Sequence, residues 1–430
     1  MGAWKNWAGN QQCAPARVEH PAGAAALADV VRSASRVKVV GSGHSFTDIA
    51  VVPDGGVQVV LDRHSSLLSV DRSSGRVTAQ AGMTLLALNR ALSAVGLALP
   101  NLGDIAYQTV AGAVSTATHG TGIGFGGIAT QIVGLELVAA DGTVVRASAD
   151  EEPEVFACAR VGLGALGVLS SVTLQCVPAF RLQAVEEPMR LGSVLRDLDR
   201  HVEENDHFEF FYVPHTDWAL TKRNNRTDAP VGGMPRWKWL RDKVLMENVA
   251  FGSVVRLGRR RPSLIPRLAT ALPSSGRTEY VKPSHDVFAS PRWVHFYEME
   301  YSVPREAGAE CLQRVRKFID DSGLRISFPI EVRFTAGDDI PLSTAYGGER
   351  CYIAVHVYRG MEYERYFRHV EKVMRSVGGR PHWGKLHYRT AEDLAPVYPE
   401  WDRFQAVRRK LDPDGKFANA YLDRVLGSVP

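Results

Sequence analysis

The chain has 430 residues, 45% hydrophobic and 23% charged, with a formal net charge of +4. This composition is ordinary for a soluble globular protein of two or three domains, and so small a charge signals no preference for anionic partners. Five scattered cysteines, odd in number and without CxxC spacing, argue against a disulfide framework and a cysteine zinc site, so no metal is expected.

The opening MGAWKNWAGNQQ has no apolar signal core, and no run of about 18 apolar residues follows. Membrane insertion is therefore not expected, and a reducing cytoplasm is the default compartment. Apolar residues at helical spacing predict helices over Ala24–Ser33 and Thr84–Val95. The β-branched run 36–40 reads as a strand and leads straight into Gly41-Ser42-Gly43-His44-Ser45. Further strands are predicted at Val57–Leu61, Arg76–Ala81, Ile132–Ala139, Thr143–Ala147 and Val168–Cys176. Asp141-Gly142 is a hairpin turn signal between two of them. The region is α+β and glycine-rich, without a regular βαβ repeat.

From about residue 180 the texture changes to aromatic strands, Phe208–Val213 and Val294–Val303, and charged helices, Ala307–Asp321 and Tyr363–Val377. The segment 222–270, basic and with several prolines, is expected to be irregular. Its most basic part, Arg256 to Arg267, lacks interleaved aromatics and any nucleic-acid motif. It reads as a solvated surface loop, and no nucleic-acid partner is expected. The change of composition supports a second domain, or cap, beginning near 180.

Two glycine runs carry the chemistry. GSGHSF has Phe46 where a dinucleotide fingerprint needs its third glycine, and no Gly-Lys-Ser/Thr follows for a Walker loop. Its backbone N–H groups can still form an anion nest. The second run, TVAGAVSTATHGTGIGFGG at 109–127, is almost entirely small, which lets backbone approach a flat or charged ligand. Two such loops suggest a long diphosphate ligand gripped at two places; a pair of structural turns is the alternative.

GSGHS, LPNLGD (99–104), AGAVSTATHGTG (111–122) and RVGLGALGV (160–168) together resemble the FAD-binding domain of the vanillyl-alcohol-oxidase family. EVRF (331–334), LSTAYG (342–347), RPHWGK (380–385) and LDPDGKFANAY (411–421) resemble its branch of sugar-acid lactone and alditol oxidases. The resemblance implies an α+β fold with a two-part FAD-binding domain at 1–180. An α+β cap at 181–395 would follow, with a segment at 396–430 returning to the FAD domain. FAD would contact Val40, Gly41, Ser42, Gly43, Ser45 and Phe46 in the first loop, then Gly103 and Asp104. Thr109, Gly112, Ala113, Ser115, Thr116, His119 and Gly120 in the second run, and Val168 beyond it, would complete the contacts.

The implied reaction passes a C–H hydride from an alcohol to flavin N5 while the hydroxyl proton leaves to a base or water. Glu331 and Arg333, two apart on a predicted strand, point to one face. By resemblance Glu331 holds or deprotonates the substrate hydroxyl and Arg333 neutralises developing negative charge; an ordinary strand ion pair is the alternative. Lys385, after a glycine that admits close approach, becomes a substrate or flavin contact, and His356 a substrate-side residue. His382 reads as a structural histidine. Gly103 leaves room for oxygen beside the flavin, which implies an oxidase using O2, with another acceptor as the alternative. The implied substrate is an aldonolactone such as L-gulono-1,4-lactone, oxidised at C2; the alternative is a polyol such as xylitol or sorbitol. Asp104 and Tyr358 stand where the alditol branch has serine and threonine, which weighs against a polyol. His44 would carry a covalent link to the flavin 8α carbon; a loop histidine around a dissociable FAD is the alternative.

Overall fold

A computed structural model describes residues 3–235, 237, 250–271, 276–289 and 293–429. Its first core is built on two sheets. Three parallel strands, Arg17–Glu19, Val57–Val60 and Val37–Val40, lie in that order, and the helix Ala24–Ser33 buries Leu27, Ala28 and Val31. Five antiparallel strands lie in the order Val144–Ser148, Ile132–Val138, Val168–Gln175, Arg76–Gln80, Leu67–Asp71. The Asp141-Gly142 turn is present as predicted: Gly142 adopts φ +86, and Asp141 Oδ1 accepts from the Thr143 N–H at 2.8 Å. The predicted helix near 84 runs Leu85–Ala94, where Thr84 accepts from the Ala87 N–H and so caps the first turn.

The chain's last helices, Trp401–Leu411 and Ala420–Leu426, add Phe404, Leu411, Tyr421 and Leu422 to this same core. The return is stitched by backbone bonds from Val37 to Lys416 and from Ala140 to Leu411. Lys38, buried, donates to the Phe417 carbonyl at 3.0 Å.

The second core belongs to an eight-stranded antiparallel sheet. Its order is Thr278–Pro283, Arg181–Arg190, Trp218–Thr227, His207–Tyr212, Ile330–Thr335, Arg350–Tyr358, Phe296–Pro304, Arg380–Pro381. Alternation sorts its two faces. Phe208, Phe210, Val332, Phe334, Ile353, Val355, Met299 and Tyr301 point one way and pack under the helices Gly308–Ser322 and Glu364–Arg375. The first helix buries Cys311, Leu312, Val315 and Ile319, a stripe at helical spacing. Each such apolar side chain contributes roughly 1.5–3 kcal/mol of burial. The residues between them on the strands, among them Glu209, Glu331, Arg333, Tyr352, His356, Glu298 and Glu300, point the other way.

Within segment 222–270, of which 236 and 238–249 lie outside the described residues, two stretches correct the expectation of irregular chain. Trp218–Thr227 is a ten-residue strand of this sheet, and Phe251–Arg260 is a helix. The strand is polar because its inner face joins the charged face just described. The Arg256–Arg267 run is likewise helical over much of its length, with Arg256, Arg259, Arg260 and Arg267 exposed and Gly252 and Val255 buried. No helix of the described residues is long and apolar enough to cross a membrane.

Candidate active site

The strand Val37–Val40 ends in the loop that carries His44, and Gly43 turns there with φ +68. The Trp7 N–H bonds the Gly43 carbonyl at 2.8 Å and Ser42 Oγ donates to the Tyr107 carbonyl at 2.5 Å, so the loop is fixed from both sides. Thr109 caps the helix Val110–Ser115 by accepting from Gly112 N–H at 3.2 Å. A Cβ at Gly41 would stand 2.5 Å from that same Thr109 Oγ1, so only glycine lets the two loops meet.

Between these loops and the turn 162–168 runs a channel with about 1160 Å³ of empty volume. Val40, Gly41, Ser42, Gly43, His44, Ser45, Thr109, Gly112, Ser115, Thr116 and Val168 line it. Its walls are mostly backbone and small side chains, suited to an extended ligand that needs N–H donors and close approach. Ala113 and Gly120 line neither this channel nor the cavity beyond it. Ala113 is fully buried in the first core, and a Cβ on Gly120 would sit 2.3 Å from the Leu102 carbonyl.

A second cavity lies under the polar face of the large sheet and is lined by Phe46, Gly103, Asp104, His119, Glu298, Glu300, Glu331, Arg333, His356, His382 and Lys385. His44, Ser45, Gln108 and Thr116 border both spaces, so His44 stands at their junction. Its ring lies 5.8 Å from Trp7 and stacks at 6.5 Å on Tyr107. Burial, helped by nearby His295, lowers its pKa to about 4, which leaves the imidazole neutral with a free lone pair near pH 7.

Strand register assembles the charges. Glu186 faces Lys222, Lys222 faces Glu209, Glu209 faces Arg333, and Arg333 faces Tyr352, in one row across five strands. Glu209 Oε1 lies 3.2 Å from Lys222 Nζ, and its Oε2 accepts from Arg333 Nε at 2.8 Å. Arg333 Nη2 is 2.5 Å from Asp104 Oδ1 and also contacts Glu331. Desolvation works against the guanidinium, yet Asp104, Glu331 and Glu209 outweigh it and hold Arg333 firmly charged.

The neighbouring strand supplies a second group that sequence reasoning missed. Glu298 and Glu300 clamp Lys385 Nζ at 2.5 and 2.9 Å, and these contacts keep the lysine charged against its burial. Burial would raise Glu298, but Lys385 and His356 bring it down to about 2. His356 Nε2 is 3.2 Å from Glu298, and its Nδ1 is 3.1 Å from the Pro329 carbonyl. His119 joins Glu300 at 3.3 Å and stacks on Tyr352 at 3.6 Å. His382, driven down to about 3 by burial and then by Lys385, accepts from the Gly384 N–H. The motif loops interlock: Phe46 N–H bonds the Gly384 carbonyl at 2.7 Å, and Trp383 Nε1 donates to Leu342. Buried acids at alternate positions of an aromatic strand, FYEMEY, were the available signal for Glu298 and Glu300. Glu209 and Lys222 gave none until their register was known.

The residues of this site fit an FAD cofactor and the chemistry of an oxidoreductase. A channel lined largely by small residues opens at His44 into a cavity under charged side chains. A family model described as D-arabinono-1,4-lactone oxidase matches residues 172–425, and one for an FAD binding domain matches 15–148. The chain belongs to the D-arabinono-1,4-lactone oxidase family. It is 47% identical over 429 residues to an L-gulono-1,4-lactone dehydrogenase of Mycobacterium tuberculosis, covering 99% of each chain. It is 36% identical to the L-gulonolactone oxidase of Bos taurus and 32% identical to an alditol oxidase of a Streptomyces species, covering 98% of each chain in both cases. A solvent-stable cholesterol oxidase shares the fold, with a TM-score of 0.84 at 19% identity over 99% of this chain and 97% of that one.

Proposed function

We propose that this chain oxidises the C2 hydroxyl of an aldono-1,4-lactone, such as L-gulono-1,4-lactone, with FAD as the immediate electron acceptor. The observation that carries the reading is the Glu331–Arg333 pair facing, with Lys385, into the cavity that His44 joins to the channel. Bound FAD supplies a two-electron acceptor at N5 for the hydride leaving C2. Glu331 takes the hydroxyl proton, and Arg333 beside it stabilises the negative charge that develops on the substrate oxygen. Lys385, immobilised by two carboxylates, donates to a second substrate oxygen, and His356 orients the same end. Steady-state rates on gulonolactone, galactonolactone, xylitol and sorbitol test the assignment. Preference for the lactones is expected; turnover of the polyols alone would replace it with the alditol reading, which the Streptomyces relative supports and Asp104 and Tyr358 oppose.

His44 is the proposed covalent anchor, supported by its neutral ring at the junction of the two spaces. His44→Ala should release all yellow colour on acid precipitation, whereas the wild type keeps it in the pellet. Wild-type release would leave His44 a loop residue only. Gly103 lines the cavity without a side chain, which supports O2 as the final acceptor; the name of the mycobacterial relative points to another acceptor. Reduced protein should reoxidise quickly in air, and persistence of the reduced form in air would exclude oxidase activity. All five cysteines are free, which suits the reducing cytoplasm proposed as its compartment.

A further inference from the structure

Arg333 is the guanidinium of the cavity wall, and a lone arginine there would be a ready clamp for a substrate carboxylate. In this chain its contacts are already taken by carboxylates. Glu209 holds Nε at 2.8 Å, while Asp104, at 2.5 Å, and Glu331 both lie on Nη2. Behind them Lys222 neutralises Glu209. Lys222 in turn faces the buried Glu186, so at this end two cations (Arg333 and Lys222) meet Glu186, Glu209, Glu331 and Asp104. Asp104 is the fourth carboxylate and deepens the negative charge where the cavity is lined by Arg333. It comes from the loop 99–108 of the first core, whereas the other five members stand on strands of the large sheet.

The far end of the cavity does not cancel this excess. There Lys385 faces Glu298 and Glu300, and the imidazoles of His356 and His119 lie on those same two carboxylates. His382 is neutral through burial.

We propose that Asp104 determines specificity by charge: its carboxylate on Arg333 rejects anionic sugar acids and admits the neutral lactone of the same carbon skeleton. The inference rests on the lactone reading above. An aldonate offers the same C2 hydroxyl next to a full negative charge, so a wall of net negative charge separates two molecules that shape alone distinguishes poorly. Asp104 acts on the ground-state charge of the ligand and takes no part in proton transfer.

The test uses the flavin-loaded protein. Inhibition of lactone oxidation by the matched open-chain aldonate, at a pH where the acid is fully ionised, gives Ki to compare with KM for the lactone. In wild type Ki should exceed KM at least tenfold, roughly the effect of one like charge in a partly buried site. Asp104→Asn should lower that ratio about tenfold, and Asp104→Glu, which restores the charge, should hold it near the wild-type value. An unchanged ratio in Asp104→Asn overturns the proposal. So does wild-type protein whose flavin spectrum titrates with aldonate as tightly as with lactone, a measurement that needs no variant. Should wild type turn over polyols and no lactone, the functional reading fails by itself. The charge claim is then read from aldonate against polyol binding in the same titration.

Discussion

The wall of the channel and the sheet wall of the cavity into which it opens bind by different means. The first-core wall is backbone: glycines at 41 and 43 and small residues from 109 to 116 approach where side chains would clash. The sheet wall is side chain: Lys222, Arg333, Glu209, Glu331, Glu298 and Glu300 stand on strands, set by alternation and register, while Lys385 comes from the loop after Arg380–Pro381 and Asp104 from the first core. A wall of backbone tolerates loss of one contact and fails by obstruction. A wall of paired buried charges fails by subtraction, because removing one member strands its partners in a poorly solvated place.

The largest effect should therefore come from Arg333→Met, which leaves Asp104, Glu209 and Glu331 facing one another. Thermal unfolding should show a loss of about 3–5 kcal/mol, and turnover should fall by about a thousandfold or more. Lys385→Met strands two carboxylates and should cost about 10²–10³ in kcat while flavin content stays at one per chain. Equal turnover in either variant would mean that the sheet wall is scaffolding.

Acid should expose the same contrast in stability. His207 is lowered to about 4 and His382 to about 3, each chiefly by burial, so the unfolded chain binds more protons than the folded one below about pH 6.5. Their contribution is complete above the unfolded value and is lost as pH falls toward the folded ones. Glu298, lowered to about 2, weakens folding only below about pH 4.5. Tm should drop by several degrees between pH 7.5 and 5, and a flat profile would show that these rings are not buried neutral.

The smallest effect belongs to the backbone wall. Gly41→Ala pushes a methyl against the Thr109 hydroxyl that caps Val110–Ser115. About 1 kcal/mol of stability and part of the flavin occupancy should be lost, with kcat per bound flavin unchanged.

The two walls also differed in how far the sequence revealed them. The glycine runs, the Asp141-Gly142 hairpin, the Thr84 cap and the Glu331–Arg333 spacing are local patterns, readable within a few residues. Eleven of the channel-lining residues could thus be named in advance. Glu209 and Lys222 meet Arg333 only through the pairing of three strands, and register is not written in any one segment. Trp218–Thr227 escaped notice for a related reason: a strand with one face in a charged site loses the apolar alternation that identifies strands. Ala113 and Gly120 line neither space, and small residues that pack a core look identical in sequence to small residues that admit a ligand.

The most direct test is anaerobic mixing of the flavin-loaded protein with an aldono-1,4-lactone while the flavin absorbance is followed. Wild type should bleach within its turnover time, and Glu331→Gln should bleach about 10²–10⁴-fold more slowly with its flavin retained. Bleaching of Glu331→Gln at the wild-type rate, or no bleaching of wild type by any lactone, would contradict the account.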